Sequence, residues 1–393
     1  MPSGIFISTV EASADLHAGH AVRSLARLAP GLAVRAVGGD RLRAAGAEVV
    51  LETQGRAAMG FTEVVRHLNF YRDLARRTGD EIARTRPAAV VLVDAGGYHL
   101  RLAGRLRARF PDLPILQYIA PKLWAWHESR IKALRRRIRE TLCIFPFEEA
   151  WFRERGVAAR YVGNPTFDQL RPHWERRMEW LRAGGRPGKG MFFSPWHTGL
   201  ERTVAVFPGS RPQEIRRMWR CFSETIRLLQ NQFDDLLFTV ALAPGVDAHD
   251  LRRCAPIPGR TAFVEAEWSQ RLLSGSVFAL AKSGTTTLEA ALLAVPMVVA
   301  YRAHAATAWL LRRTSLRELR HLSLPNILAG REVVPELLQE RATPEALAGA
   351  AAPALGDSET YARIVRDLTG LRASFDGEPA GDRAARAILE HVN

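Results

Sequence analysis

The stretch "LAKSGTTTLEAAL" (280–292) passes from an apolar strand into a helix across Ser283, Gly284 and Thr285, with Glu289 one turn inside. Such a turn leaves the first helical N–H groups without intrahelical partners at the positive end of the helix dipole. A phosphate binds well there, and a glycine lets it approach the backbone. Glu289 is placed to accept hydrogen bonds from sugar hydroxyls. The same residues also read as a plain N-cap, because Ser and Thr cap helices with or without a ligand. A second turn of this kind follows "VAVF", where Pro208-Gly209-Ser210-Arg211 opens another helical stretch with an arginine suited to a phosphate. Neither the glycine-rich dinucleotide fingerprint nor the P-loop is present. Two phosphate-friendly turns in one half of the chain suit a nucleoside diphosphate.

The elements that must position these turns alternate between strand and helix along most of the chain. The first half offers "IFIS", "LAVRAVGG", "AAVVLVDA", "PILQYIA" and "TLCIFPF". The second half offers "TVAVFPGS", "LLFTVALAP", "TAFVEA", "SVFALAKSG" and "PMVVAY". Short apolar runs separated by helices predict parallel sheets, here two doubly wound α/β units. The expected division is a first unit over 1–165, a linker or loop over 166–200, a second unit over 201–350 and C-terminal helices over 351–393. Two such units facing across a cleft would hold ligands at the carboxyl ends of their strands.

The net charge is +14 in 393 residues, which points to phosphorylated substrates, anionic lipid or nucleic acid. There is no recognition-helix motif, zinc finger or aromatic-studded RNA signature, so nucleic acid is set aside. "RIKALRRRIRE" (130–140) spaces Ile131, Leu134 and Ile138 at helical intervals among arginines, the pattern of a basic helix on an anionic membrane surface. "GFTEVVRHLNFYRDLARR" (60–77) sets Phe61, Val64, Val65, Leu68 and Tyr71 on one helical face beside basic residues, a second membrane candidate or an ordinary core face. "WLLRRTSLRELRHL" (309–322) has the same composition. No apolar run approaches the roughly 20 residues of a membrane span, and the N-terminus reads as a first strand rather than a signal peptide. Three widely spaced cysteines match no zinc pattern and suit a reduced, cytoplasmic protein.

Taken together, "FPGSRPQEI", "KSGTTTLEAAL", "PMVVAYR" and "LSLPNILAGREVVPELLQE" resemble the lipid-A-disaccharide synthase family, which has the GT-B glycosyltransferase fold. In the first half "VEASADLHA", "VGGDRLRAAG", "AMGFTEVV", "VVLVDAGGYHLRLA", "YIAPKLWAWHESRI" and "FPFEEAWFRERGV" follow in the family's order. The resemblance implies transfer of 2,3-diacylglucosamine from UDP-2,3-diacylglucosamine onto 2,3-diacylglucosamine 1-phosphate (lipid X), with UDP released. An α-linked donor and a β-linked product mean inversion, so one carboxylate can serve as base on the acceptor's 6-hydroxyl. The family's candidate falls on Asp94, at the end of an apolar strand, with Glu11 as a second catalytic candidate. The resemblance further implies that Arg211, Ser283, Gly284 and Thr285 hold the diphosphate and that Glu289 takes the ribose. It implies that Asn326, Glu336 and Gln339 line the donor side, and that Ser13 and Asp15 lie near the acceptor. It implies no metal and no cofactor, since no Asp-x-Asp pair offers a metal-bound donor site. It also implies peripheral attachment to the inner face of the inner membrane and allows a homodimer through the C-terminal halves.

Three departures lie in the acceptor half. The N-terminal loop reads Val10-Glu11-Ala12-Ser13-Ala14-Asp15, where the family favours Gly-Glu-x-Ser-Gly-Asp. Any left-handed backbone there would be strained by about 1 kcal/mol or more without glycine. Asp94 is followed by Ala95-Gly96-Gly97-Tyr98-His99 instead of Ala-Pro-x-Phe-Asn, and Gly163-Asn164-Pro165 replaces Gly-His-Pro. The alternatives are a glycosyltransferase with another acceptor, a UDP-sugar epimerase on the same fold, and a non-catalytic UDP-sugar or lipid binder.

Overall fold

The computed structural model describes residues 4–53, 68–125, 128–183, 202–210, 212–302 and 321–392. The chain divides into one unit of residues 1–168 with 377–393 and another of residues 169–376.

The first unit holds a sheet of order β3-β2-β1-β4-β5-β6-β7. Its strands are β1 (Ile5–Ser8), β2 (Val34–Gly38), β3 (Glu48–Glu52), β4 (Ala89–Val93), β5 (Ile115–Tyr118), β6 (Glu140–Cys143) and β7 (Ala159–Tyr161). All pairings are parallel. This explains the unbroken apolar runs, since a parallel sheet is covered on both faces. One face packs the helix Ala12–Leu28 and the last helix, Ala380–Leu389, in a cluster with Ile5, Val91 and Leu116. The other packs the helices Leu68–Thr85, Gly96–Arg109 and Ile131–Arg137 through Leu74, Leu102 and Leu134.

The second unit holds a sheet of order β10-β9-β8-β11-β12-β13. Its strands are β8 (Arg202–Phe207), β9 (Leu236–Leu242), β10 (Thr261–Glu265), β11 (Phe278–Lys282), β12 (Met297–Tyr301) and β13 (Glu336–Leu338), again parallel throughout. Strand order reverses at β1/β4 in one sheet and at β8/β11 in the other. These reversals open crevices at the strands' carboxyl ends, where doubly wound folds bind ligands.

Several expectations need correction. The expected linker over 166–200 begins as the helix Pro165–Arg182, because Phe167, Leu170, Arg177 and Trp180 recur at helical spacing and are buried. The C-terminal segment does not form a separate layer. The helices Pro344–Gly356 and Ser358–Ala373 belong to the second unit, whereas Ala380–Leu389 returns to the first through Ala384, Ala385 and Ile388. The basic helix Ile131–Arg137 turns Ile131, Leu134 and Ile138 into the core, leaving only its charge for a surface. Tyr71 is half-buried against that same core, with its ring 5.4 Å from Phe70 and 5.5 Å from Tyr98. Phe61, Val64 and Val65 and the side chain of Leu68 lie outside the described residues, as does 303–320. No helix of the described residues is long and apolar enough to cross a membrane. The cysteines are free thiols.

Candidate active site

Asp94 directly follows β4 at the first sheet's reversal. It and Ala95 adopt left-handed backbone, with φ of 54° and 45°. Two consecutive non-glycine residues in this region cost of order 1–3 kcal/mol each, so neighbours must hold them. The Asp94 N–H donates to the Tyr118 carbonyl (2.9 Å). The Asp94 carbonyl accepts from His99 Nδ1 (2.8 Å) and Gln117 Nε2 (3.1 Å). His99 Nε2 in turn meets Ser8 Oγ at 3.1 Å. Because a carbonyl only accepts, Nδ1 carries the proton, and Nε2 accepts from the serine hydroxyl. The turn is thus fastened from β1 and β5, the two neighbours of β4. Burial raises the Asp94 carboxyl above the ordinary range, opposed by the Ala95 N–H and by Lys122. Such a carboxylate is a stronger base than an exposed aspartate. Gly96 has a steric reason to replace the family's proline: a Cβ there would lie 2.6 Å from Pro121 Cβ.

Glu11 follows β1, extended at φ −130°, and the helix starts at Ala12. The two missing glycines therefore cause no strain, because Ala14 is helical and Val10 is not in left-handed backbone. Glu11 and Ser13 are exposed. Asp15 differs from its expected part beside the acceptor. It is 2% exposed, and its carboxylate accepts from the N–H groups of Gly39 (2.7 Å) and Arg41 (2.9 Å). It holds the turn after β2. Asn164, in the place of the family's histidine, is also internal: Nδ2 donates to the Ile144 carbonyl (3.1 Å), and Oδ1 accepts from the Thr166 N–H (2.9 Å).

In the second unit β8 and β11 are parallel neighbours, with Phe207 paired to Ala281. The two phosphate-friendly turns therefore emerge side by side. Lys282 Nζ pairs with Glu214 Oε1 at 2.9 Å, and the Ser210 N–H donates to Glu214 Oε2 at 3.3 Å, tying one turn to the other. Gly209 has φ +131°, and a Cβ there would sit 2.9 Å from Glu214 Cβ, so this position demands glycine. Gly284 does not, since its φ of 168° is extended backbone. What it provides is space, with nothing nearer to a would-be Cβ than the Lys282 carbonyl at 3.9 Å. Gly284 is itself the N-cap, and no side chain among the described residues caps the helix Thr285–Leu292. The plain-cap reading of Ser283 and Thr285 therefore does not apply, and the positive end of this helix has no side-chain cap among the described residues. Glu289 is half-buried, accepts from Gln270 Nε2 (3.1 Å), and has its carboxyl raised by burial. Arg211 lies outside the described residues.

Asn326 and Glu336 are committed to each other. Asn326 is fully buried, donates to the Val334 carbonyl (2.8 Å) and Glu336 Oε1 (2.7 Å), and accepts from the N–H groups of Val333 and Val334. Glu336 also accepts from Leu322 N–H (2.8 Å), Ser323 N–H (3.0 Å) and the Ser323 hydroxyl. In this conformation both fix the loop instead of presenting free groups to a donor. Gln339 follows in left-handed backbone, φ 52°. Among the described residues no cluster of three or more His, Cys, Asp or Glu is placed to hold a metal ion.

Ser8, His99, Gln117, Glu214 and Lys282 were not recognised from sequence. Only His99 left a trace there, as a departure five residues after Asp94. We predict that His99→Ala lowers turnover about tenfold, the upper range for one neutral hydrogen bond, with little change in KM. His99→Asn should recover most of it, because an amide can donate to the Asp94 carbonyl. Burial lowers the His99 pKa to about 4. Between the ordinary value of about 6.5 and that value, the unfolded chain binds a proton that the folded one refuses. This contribution to stability is complete above pH about 6.5 and is lost as pH falls toward 4. His17, also lowered to about 4 by burial, adds to the same window. Melting curves of wild type and His99→Asn across this range should converge at the acid end.

Two parallel-sheet α/β units, each carrying its candidate site where strand order reverses, define the GT-B class of glycosyltransferases and related epimerases. The fold is similar to UDP-GlcNAc 2-epimerase from Neisseria meningitidis bound to UDP-GlcNAc, with TM-score 0.63 and 12% identity over 98% of each chain. It is also similar to CalG4, the calicheamicin glycosyltransferase, with TM-score 0.58 and 17% identity over 100% of this chain and 99% of that one. At these identities the likeness is one of fold. Sequence narrows it further. The family model for lipid-A-disaccharide synthetase matches residues 5–375. A lipid-A-disaccharide synthase from Anaeromyxobacter dehalogenans (strain 2CP-C) is 36% identical over 397 residues, covering 98% of this chain and 96% of the relative. One from Myxococcus xanthus (strain DK1622) is 33% identical over 392 residues, covering 99% and 97%. The chain belongs to the lipid-A-disaccharide synthase family.

Proposed function

We propose that the chain transfers 2,3-diacylglucosamine from UDP-2,3-diacylglucosamine to the 6-hydroxyl of 2,3-diacylglucosamine 1-phosphate, inverting the anomeric centre. Asp94 takes the hydroxyl proton as the oxygen attacks the anomeric carbon, and the sugar–phosphate bond breaks to release UDP. The uncapped N-terminus of Thr285–Leu292, with Ser283, Gly284 and Arg211, takes up the charge on the leaving diphosphate. Glu289 accepts from the ribose hydroxyls. The observation that carries this reading is the pairing of the two anion turns at the β8/β11 reversal in a chain of this family. Glu11 stands on the acceptor side with Asp94.

Membrane attachment belongs to the same reading. Both substrates carry acyl chains, and the basic surface around Arg135 and Arg136 suits an anionic, peripherally bound bilayer face. A homodimer is compatible with it. The deciding experiment incubates purified protein with the UDP donor and the 1-phosphate acceptor and analyses the products by mass spectrometry. Disaccharide 1-phosphate and UDP in equal amounts, with the new linkage β by NMR, is the expected result. Hydrolysis to UDP without disaccharide, or an epimerised UDP-sugar, would overturn the proposal.

A further inference from the structure

A cavity of about 570 Å³ opens in the first unit beside the Asp94 turn. Ala95 and Gly96 form part of its wall, together with Glu11, Tyr71 and Tyr98. Four arginines line it: Arg72, Arg101, Arg105 and Arg130. No carboxylate among the described residues pairs with any of them, although most other arginines of this unit find an acid or a carbonyl. Arg101 and Arg105 are four residues apart on the helix Gly96–Arg109, hence on one face. Arg130 reaches in from a neighbouring element, and a Cβ on Gly97 would lie 3.8 Å from its Nη1, so Gly97 leaves room for it. Both Arg101 and Arg105 also line an adjoining open groove with Arg136 and Arg137.

Four arginines against the single carboxylate of Glu11 leave an excess of positive charge around the cavity, which an anion would offset. Guanidinium forks match the oxygens of a phosphate monoester. The cavity volume falls within the range of about 300–1,000 Å³ usual for small-molecule sites. In a pyranose 1-phosphate, C1 and C5, which bears the 6-hydroxymethyl group, both flank the ring oxygen. A phosphate held by these arginines would therefore set the 6-hydroxyl one ring width away. Arg101 and Arg105 are carried by the helix Gly96–Arg109, which begins two residues after Asp94. The donor's diphosphate is served by the turns of the other unit.

We propose that this cavity is the acceptor site, with Arg101 and Arg105, supported by Arg72 and Arg130, binding the acceptor's anomeric phosphate and so selecting a phosphorylated sugar. The proposal rests on the transferase reading of this chain. It uses the phosphate monoester of the substrate, not the phosphate of a lipid headgroup.

The test is the double variant Arg101→Gln/Arg105→Gln, both exposed positions, checked for an unchanged melt and assayed with detergent-dispersed substrates. Acceptor KM should rise about ten- to a hundredfold, the loss of one or two charge-assisted contacts. Donor KM and saturated turnover should hold. The corresponding double lysine variant should lie between, because charge remains while the fork is lost. With dephosphorylated 2,3-diacylglucosamine as acceptor, wild type and the Gln variant should perform alike. An unchanged acceptor KM, or an equal loss with both acceptors, would refute the phosphate contact. If the variant instead loses only its sedimentation with phosphatidylglycerol vesicles, the arginines serve the bilayer and the proposal is wrong. Should wild type make no disaccharide at all, the transferase reading fails first and takes this site with it. Activity surviving in Asp94→Asn beside a raised acceptor KM in the arginine variant would retain the site and remove only the base.

Discussion

Asp94→Asn is expected to lower turnover by about 10²–10⁴-fold, the contribution of a positioned general base, with UDP affinity unchanged. The exchange keeps size and shape, so the left-handed turn and its bonds from His99 and Gln117 to the Asp94 carbonyl survive. Only the ability to take a proton is lost. UDP affinity should hold because the turns proposed for the diphosphate belong to the second unit. Wild-type activity should also show an acid limb. Protonating Asp94 abolishes the base, and desolvation places this step above the ordinary aspartate range. The limb should be absent from the residual rate of Asp94→Asn. Stopped assays at saturating donor and acceptor, with calorimetry for UDP, decide the matter. Turnover above about a tenth of wild type, far short of the smallest loss expected of a general base, would remove Asp94 from the mechanism.

The sequence shows what is local. Apolar runs of strand length, alternation with helices, and small residues at strand ends were legible at β4, β8 and β11 because each is coded within about ten residues. Which strands become neighbours is not coded that way. The side-by-side emergence of the two strand-end turns follows from β8 pairing with β11, some 70 positions on. Side-chain direction is equally nonlocal. Asp15 looks like a loop acid free for substrate, and only the return of the chain at Gly39 and Arg41 turns it inward. Asn326 and Glu336 sit in a motif rich in polar residues, yet they satisfy each other and their own loop. Amphipathic spacing at Ile131, Leu134 and Ile138 identifies an apolar face but not whether core or lipid covers it. The return of Ala380–Leu389 to the first unit is hidden for the same reason, since its alanine-rich face would fit either sheet.

Arg177→Met is expected to destabilise the second unit by about 3–5 kcal/mol, the cost of breaking a buried polar network by removing one partner. Nothing in the sequence separates Arg177 from the other basic residues, which composition reads as solvated charge. In the structure it is fully buried. Nη1 donates to the Ser276 carbonyl (2.6 Å), and Nη2 donates to the Ala294 carbonyl (3.2 Å) and the Tyr361 hydroxyl (3.0 Å). The guanidinium lies 4.2 Å from the Trp180 ring centre. It holds the lead-ins to β11 and β12, the latter through Ala294 in left-handed backbone at φ 49°, and joins them to the helix Ser358–Ala373. Desolvation weakens its hold on the proton, which sets the charge's burial cost against these bonds. Methionine fills most of the volume and removes that cost, but it leaves two buried carbonyls without this donor. Unsatisfied buried acceptors cost about 1–3 kcal/mol each, so the loss of donors outweighs the relief. Lysine, with one head group for three acceptors, should fall between methionine and arginine. For a unit of this size each kcal/mol moves the melting temperature by about 2–4 °C. Calorimetric scans should therefore show Arg177→Met melting roughly 6–20 °C lower, by the same conversion. A Met variant as stable as wild type would mean that the desolvation cost matches the whole network, and that Arg177 contributes specificity of packing without net stability.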